Sequence, residues 1–148
     1  MFLPVGEKQF EFWRLRRIGM PNINIARSFD ISRQAVSRAL ITMDERIEKT
    51  LLEMAKANHI EIKGINVECG LLFGVSVPLD VNAIIFISIK HGVQVWYEHQ
   101  GNCSECDRYT HCMELLWDFA DEMDIRLEKS NDPTILAEEL FVKLRELI

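Results

Sequence analysis

Apolar positions recur at helical spacing up to about residue 58 of this chain and at strand-like spacing for some forty residues after it. Between Glu7 and Arg17 (EKQFEFWRLRR), Phe10, Trp13 and the stem of Arg14 fall on one side, predicting a helix. Ile18-Gly19-Met20-Pro21 ends it, because glycine supplies a flexible end and proline lacks a backbone donor while restricting Met20. Asn22 is placed to cap a short second helix running to about Phe29, and Ser32 is a good N-cap for a third beginning at Arg33. That third helix carries a long seam. Val36, Leu40, Met43, Ile47, Leu51 and Met54 are separated by four, three, four, four and three residues, which is one helical face. No break precedes Asn58, so the pattern predicts one helix of about 25 residues, or two in succession bending near Thr42.

After Asn58 the period changes. His59 to Asn66 alternates, Val67 to Val77 holds two glycines among strand formers, and Pro78-Leu79-Asp80 signals a turn. Ala83–Ile89 and Val93–Tyr97 are strands of high propensity joined by Lys90-His91-Gly92, a plausible hairpin turn. Three or four strands, mostly antiparallel, are expected. Glu114 to Met123 reads as helix, Ser130-Asn131-Asp132-Pro133 as a break, and Pro133 as the first turn of a last helix reaching Leu147. The expected fold is therefore α+β: residues 1–58 form a helical module with a linking or dimerisation helix, and residues 59–148 a small sheet with C-terminal helices.

Charge changes this picture. The net charge of -6 argues weakly against nucleic acid, yet it is unevenly spread. Met1 to Leu40 holds seven Lys/Arg against three Asp/Glu (net +4), whereas Ala57 to Ile148 holds seven against sixteen (net -9). A basic head on an acidic body suits contact with phosphate at one end. No stretch reaches the roughly 18 apolar residues of a membrane span. The start, MFLPVGEKQ, lacks the basic and apolar segments of a secretory signal, so cytoplasm is the expected location.

Reading a duplex requires a helix whose exposed start fits the major groove, braced by a second helix at a fixed angle. Asn22 to Thr42 meets that need, with Ile25 and Ala26 on the first helix, Ile31 in the turn, and Val36, Ala39 and Leu40 on the second. Asp30 stands in the turn where glycine is often preferred, and aspartate tolerates a left-handed backbone better than most residues. The exposed positions between these anchors are Arg33, Gln34, Ser37 and Arg38. Arginine and glutamine can bond bidentately to guanine and adenine edges, so these four are the expected groove residues. Arg14, Arg16, Arg17 and Arg27 are the expected backbone contacts.

The segment Glu7 to Leu40, above all IARSFDISRQAVSRAL, resembles the trihelical DNA-binding unit of sigma-factor region 4 and of response-regulator output domains. It is also similar to the amino-terminal half of archaeal Tfx-type transcriptional regulators. The resemblance covers about a quarter of the chain and implies that Ser32 to Leu40 is a recognition helix, with Ala26 and Val36 at the interhelical contact. A sequence-specific transcriptional regulator that binds double-stranded DNA is the expected function. Two-fold targets favour a homodimer with recognition helices roughly 34 Å apart. The seam from Leu40 to Met54 is a ready dimer element, although packing against the sheet explains it equally well. A protein-interaction scaffold without DNA readout is the alternative, and an unidentified effector of the second domain stays open.

Cysteines add one more expectation. Cys103, Cys106 and Cys112 form C-x2-C-x5-C, a spacing that can offer three thiolates to one metal. The fourth ligand is His99 or, alternatively, Cys69, with His111 ranked below both because it adjoins Cys112. The site is expected to hold zinc, with an iron–sulfur cluster or no metal as the alternatives. No enzyme is expected: the four histidines fit no metalloprotease pattern, and neither a phosphate-binding loop nor a dinucleotide-binding glycine pattern is present.

Overall fold

The computed structural model describes residues 6–99 and 105–148. Nine elements follow in chain order within them: α1 (Glu7–Arg17), α2 (Asn22–Phe29), α3 (Arg33–Ala57), β1 (Ile60–Asn66), β2 (Leu71–Ser76), β3 (Val81–Ser88), β4 (Gly92–Tyr97), α4 (Tyr109–Glu122) and α5 (Pro133–Arg145). The strands form an antiparallel meander in the order β1-β2-β3-β4. Alternation along them sends side chains to opposite faces. Leu72, Ala83, Ile85, Ile87 and Val93 meet α1–α3, while Leu71, Phe73, Ile84, Phe86 and Trp96 meet α4 and α5. The sheet is thus the middle of three layers, an α+β arrangement.

The α3 seam shows how the layers join. Val36, Leu40, Met43, Ile47 and Leu51 are all buried within the chain. Their burial is worth about 1.5–3 kcal/mol for each side chain. The start of the helix packs with α1 and α2, and its later turns lie on the sheet, so one unbroken helix belongs to both layers. The seam that could have met a second copy is covered by the chain's own sheet and helices.

Local signals explain the connections. Asp30 adopts a left-handed backbone (φ 55, ψ 47), and Ile31 N–H donates back to the Ala26 carbonyl, closing α2 with a tight reversal. Ser32 Oγ accepts from Ala35 N–H at 3.1 Å and starts α3. Asp132 does the same for α5, whose first residue is Pro133. Gly70, between β1 and β2, has φ +69, and a Cβ there would stand 2.9 Å from the ring of Trp13. Gly74 has a different reason, since a Cβ on it would clash with the Glu61 carbonyl oxygen of the neighbouring strand.

Helix α4 begins at Tyr109, five residues before the expected Glu114, and so takes in His111 and Cys112. Cys112 lies one turn ahead of the buried Leu115 and Leu116 and packs against the same core, extending their stripe.

Candidate nucleic-acid interface

The three N-terminal helices pack around Phe12, Trp13, Ile25, Ala26, Val36 and Leu40, all buried. This core fixes α3 from behind and leaves the other side of its first two turns open. Arg33, Gln34 and Arg38 are exposed there, and Ser37 is half-buried. The four stand at i, i+1, i+4 and i+5, a face that adjoins the seam, with Arg33 at its near edge three residues before Val36. Ser37 is not wholly turned outward: Asn22 Nδ2 donates to its hydroxyl at 3.5 Å, linking the start of α2 to α3. Sequence reasoning assigned Asn22 only a capping role. It is instead the first residue of α2, after Pro21, and no side-chain bond caps that helix.

The four arginines expected at the DNA backbone separate into different roles. Arg27 is exposed, and it forms no ion pair with any described residue; Arg33 and Arg38 share that freedom. Arg14 is bound by Glu11 through two hydrogen bonds along α1, an interaction that pushes the Arg14 guanidinium up and the Glu11 carboxyl down from their ordinary ranges. Arg16 reaches across to α3 and grips Asp44 with both terminal nitrogens, one at 3.1 Å. It braces α1 against α3.

Arg17 is a correction. Its side chain is 1% exposed, so it cannot reach a phosphate outside the protein. The guanidinium lies over the Trp13 ring (4.5 Å), donates from Nη1 to the Ile87 carbonyl (2.7 Å) and stands 3.7 Å from Glu122. Burial lowers its pKa to about 10, with Glu122 opposing that shift. The signal was present in the sequence: Trp13 and Arg17 are four apart, the spacing at which a guanidinium can lie on a ring one turn away.

The thiolate metal site is overturned. Among the described residues, no three His, Cys, Asp or Glu side chains converge where a metal ion could be held. Cys103 lies outside the described residues. The other expected ligands point to separate tasks. Cys106 is exposed just before α4, and Cys112 packs against the core beneath that helix. His99 donates from Nδ1 to the Tyr97 carbonyl at 2.7 Å, with its ring beside Trp96. His111 faces the ring of His91, whose Nε2 lies 2.8 Å from Asp118. Cys69 sits half-buried in the β1–β2 turn, where burial pushes its thiol up. The zinc and iron–sulfur expectations, which needed these groups around one point, go with it.

No described helix is long and apolar enough to cross a membrane. No family model, curated protein or solved structure matches the chain.

Proposed function

We propose that the N-terminal three-helix unit is a DNA-reading helix-turn-helix and that the chain is a sequence-specific transcriptional regulator. One observation carries this reading: Arg33, Gln34 and Arg38 stand exposed and unpaired with any described acid on the open face at the start of a rigidly braced helix. An arginine salt-bridged to a neighbour must break that pair to meet a base, whereas these two arginines are free to do so at no such cost. The turn between α2 and α3, with its left-handed Asp30 and its Ser32 cap, fits the same reading.

In this mechanism Arg33 and Arg38 donate to guanine O6 and N7, Gln34 bonds an adenine edge, and Arg27 contacts phosphate without regard to sequence. Arg16–Asp44 and the Asn22–Ser37 contact hold the reading helix at a constant angle to its support. A second copy supplies the other half of a two-fold site. With the α3 seam covered inside each chain, that copy is recruited through another surface.

Selection from a randomised duplex pool with the full chain, followed by fluorescence anisotropy on the enriched duplex, tests the reading. Arg33→Glu and Arg38→Glu are each expected to weaken binding roughly ten- to a hundredfold while the unfolding midpoint stays unchanged. A pool that yields no enriched sequence, or binding untouched by both reversals, overturns it.

A further inference from the structure

A cavity of about 650 Å³ opens on the sheet face opposite the three-helix unit, between α5 and the beginning of β3 and end of β4. Its size is that of a small-molecule site, and its lining is mixed rather than uniformly apolar. Phe73, Ile84, Trp96 and Phe141, all nearly buried, form an aromatic and aliphatic floor. Trp96 and Phe141 meet edge to face at 6.0 Å, so this floor is set by packing within the protein. At the mouth, Ile135 and Val142 of α5 are more than half exposed although they face the cavity, leaving apolar surface for a ligand to cover.

The charged lining is asymmetric. Arg145 lies over the Phe73 ring, 5.5 Å from its centroid, and forms no ion pair with any described residue. It is exposed, which makes it the cation at the rim of the cavity. Glu98 and Glu138 stand in the lining from β4 and α5. Glu98 already accepts from Asn82 Nδ2 at 3.1 Å, and Glu138 is exposed to water. Glu138 and Arg145 are seven residues apart, about two turns or roughly 10 Å along one side of α5.

We propose that this cavity binds a small aromatic carboxylate carrying a hydroxyl or amine at its far end. The ring system lies on Trp96 and Phe141, and the carboxylate pairs with the Arg145 guanidinium beside Phe73. The far-end donor is received by Glu138 or Glu98. A guanidinium presents a planar fork of donors that matches a carboxylate edge to edge, which favours a planar carboxylate there. This site lies in the C-terminal layer and does not depend on whether the N-terminal unit reads DNA.

Calorimetric titration of the full chain with a hydroxynaphthoate, its hydroxyl and carboxylate at opposite ends of the rings, tests the assignment. Saturable binding of one molecule per chain is expected. The corresponding carboxamide, and the acid on Arg145→Gln, should both bind roughly tenfold more weakly. Val142→Trp, at an exposed position, should plug the mouth and abolish binding while the chain still unfolds cooperatively. Four results would overturn the proposal: no saturable heat from the acid, equal binding of acid and carboxamide, an unaffected Arg145→Gln, or tighter binding of naphthylmethylamine than of the acid. A wild-type dimer that Val142→Trp dissociates, with no ligand heat, would make the cavity an interface between copies and overturn it as well.

Discussion

The guanidinium of Arg17, the last residue of α1, lies 3.7 Å from the carboxylate of Glu122, the last residue of α4. These helices belong to opposite layers, and between them Arg17 donates to the β3 carbonyl of Ile87. Glu122 in turn accepts from Ser88 Oγ and from the backbone N–H groups of Ile89 and Lys90, fixing the β3–β4 turn. A charge at the end of the first helix therefore depends on an acid more than a hundred residues later. Arg17 is poorly served by hydrogen bonds, since its Nε and Nη2 atoms are buried without a hydrogen-bond partner. Its stability rests on the opposite charge and on the rings of Trp13 and Phe119.

Removing one partner of a buried pair leaves the other charge uncompensated, which costs about 3–5 kcal/mol, whereas replacing both partners with uncharged groups of similar volume is often neutral. Glu122→Gln keeps an acceptor but removes the charge and should lower stability toward that range. Arg17→Met should destabilise too, by less than Glu122→Gln because Glu122 keeps its bonds from Ser88, Ile89 and Lys90, and Arg17→Met/Glu122→Gln should be more stable than Glu122→Gln alone. Urea unfolding of the three variants measures this. If the double variant is no better than Glu122→Gln, the charge of Arg17 is not what Glu122 compensates.

The same pair sets a dependence on alkaline pH. Burial lowers Arg17 to about 10 from the higher range ordinary for a guanidinium, so the folded chain gives up this proton before the unfolded chain does. Between those values the unfolded state binds more protons, and stability from this group rises with pH. The desolvation penalty is thus fully present below pH 10 and relieved above it. Relative to the native chain, Arg17→Met should lose ground as pH rises from 9 toward 11, where tyrosine and lysine titrations common to both chains cancel. A difference that stays flat across that span would place the Arg17 pKa above it.

Much of the fold was legible because short-range chemistry decides it. Ser32 and Asp132 announce helix starts through oxygen atoms that reach N–H groups two or three residues on, and the α3 seam announces its face through spacing alone. What covers that seam is a question of tertiary contact, and the four-three pattern fits a partner helix as well as a sheet. Arg17 misleads for a related reason: composition counts it as part of a basic head, although the fold uses its charge internally. The cysteines mislead differently. C-x2-C-x5-C allows a third thiolate at a helix start, but Cys112 there packs with the Leu115 and Leu116 stripe against the core. At the candidate interface, the exposure of Gln34 and Arg38 followed from their phase against Val36 and Leu40, whereas Arg33, in phase with both, is exposed as the first residue of α3. With Arg14 paired to Glu11 and Arg16 to Asp44, Arg27 is the one of the four expected backbone arginines that is exposed with no ion pair among the described residues.

Asp30 tests how firmly the turn before α3 is specified. A left-handed backbone is unfavourable for residues with a Cβ, less so for aspartate, and carries no steric penalty for glycine. Asp30→Gly should therefore stabilise the chain by about 0.5–1 kcal/mol, while Asp30→Val should destabilise it by more than about 1 kcal/mol. Asp30→Asn separates charge from geometry and should stay close to the native value. Equal stability of the glycine and valine variants would mean that the turn relaxes out of the left-handed conformation.

Salt dependence distinguishes the roles of the arginines in DNA binding more sharply than affinity does. Each phosphate neutralised by a cationic side chain contributes about -0.9 to the slope of log K against log salt on duplex DNA. Arg27→Gln should therefore reduce the slope by about one and weaken selected and scrambled duplexes alike. Gln34→Ala should leave the slope unchanged but relax the preference at one base pair, because it removes a base contact and no charge. Arg17→Met should alter neither quantity, since its guanidinium already sits between Trp13 and Glu122, away from solvent. A slope that falls with Arg17→Met and not with Arg27→Gln would reverse the assignment, requiring α1 to detach from α4 before the protein meets DNA.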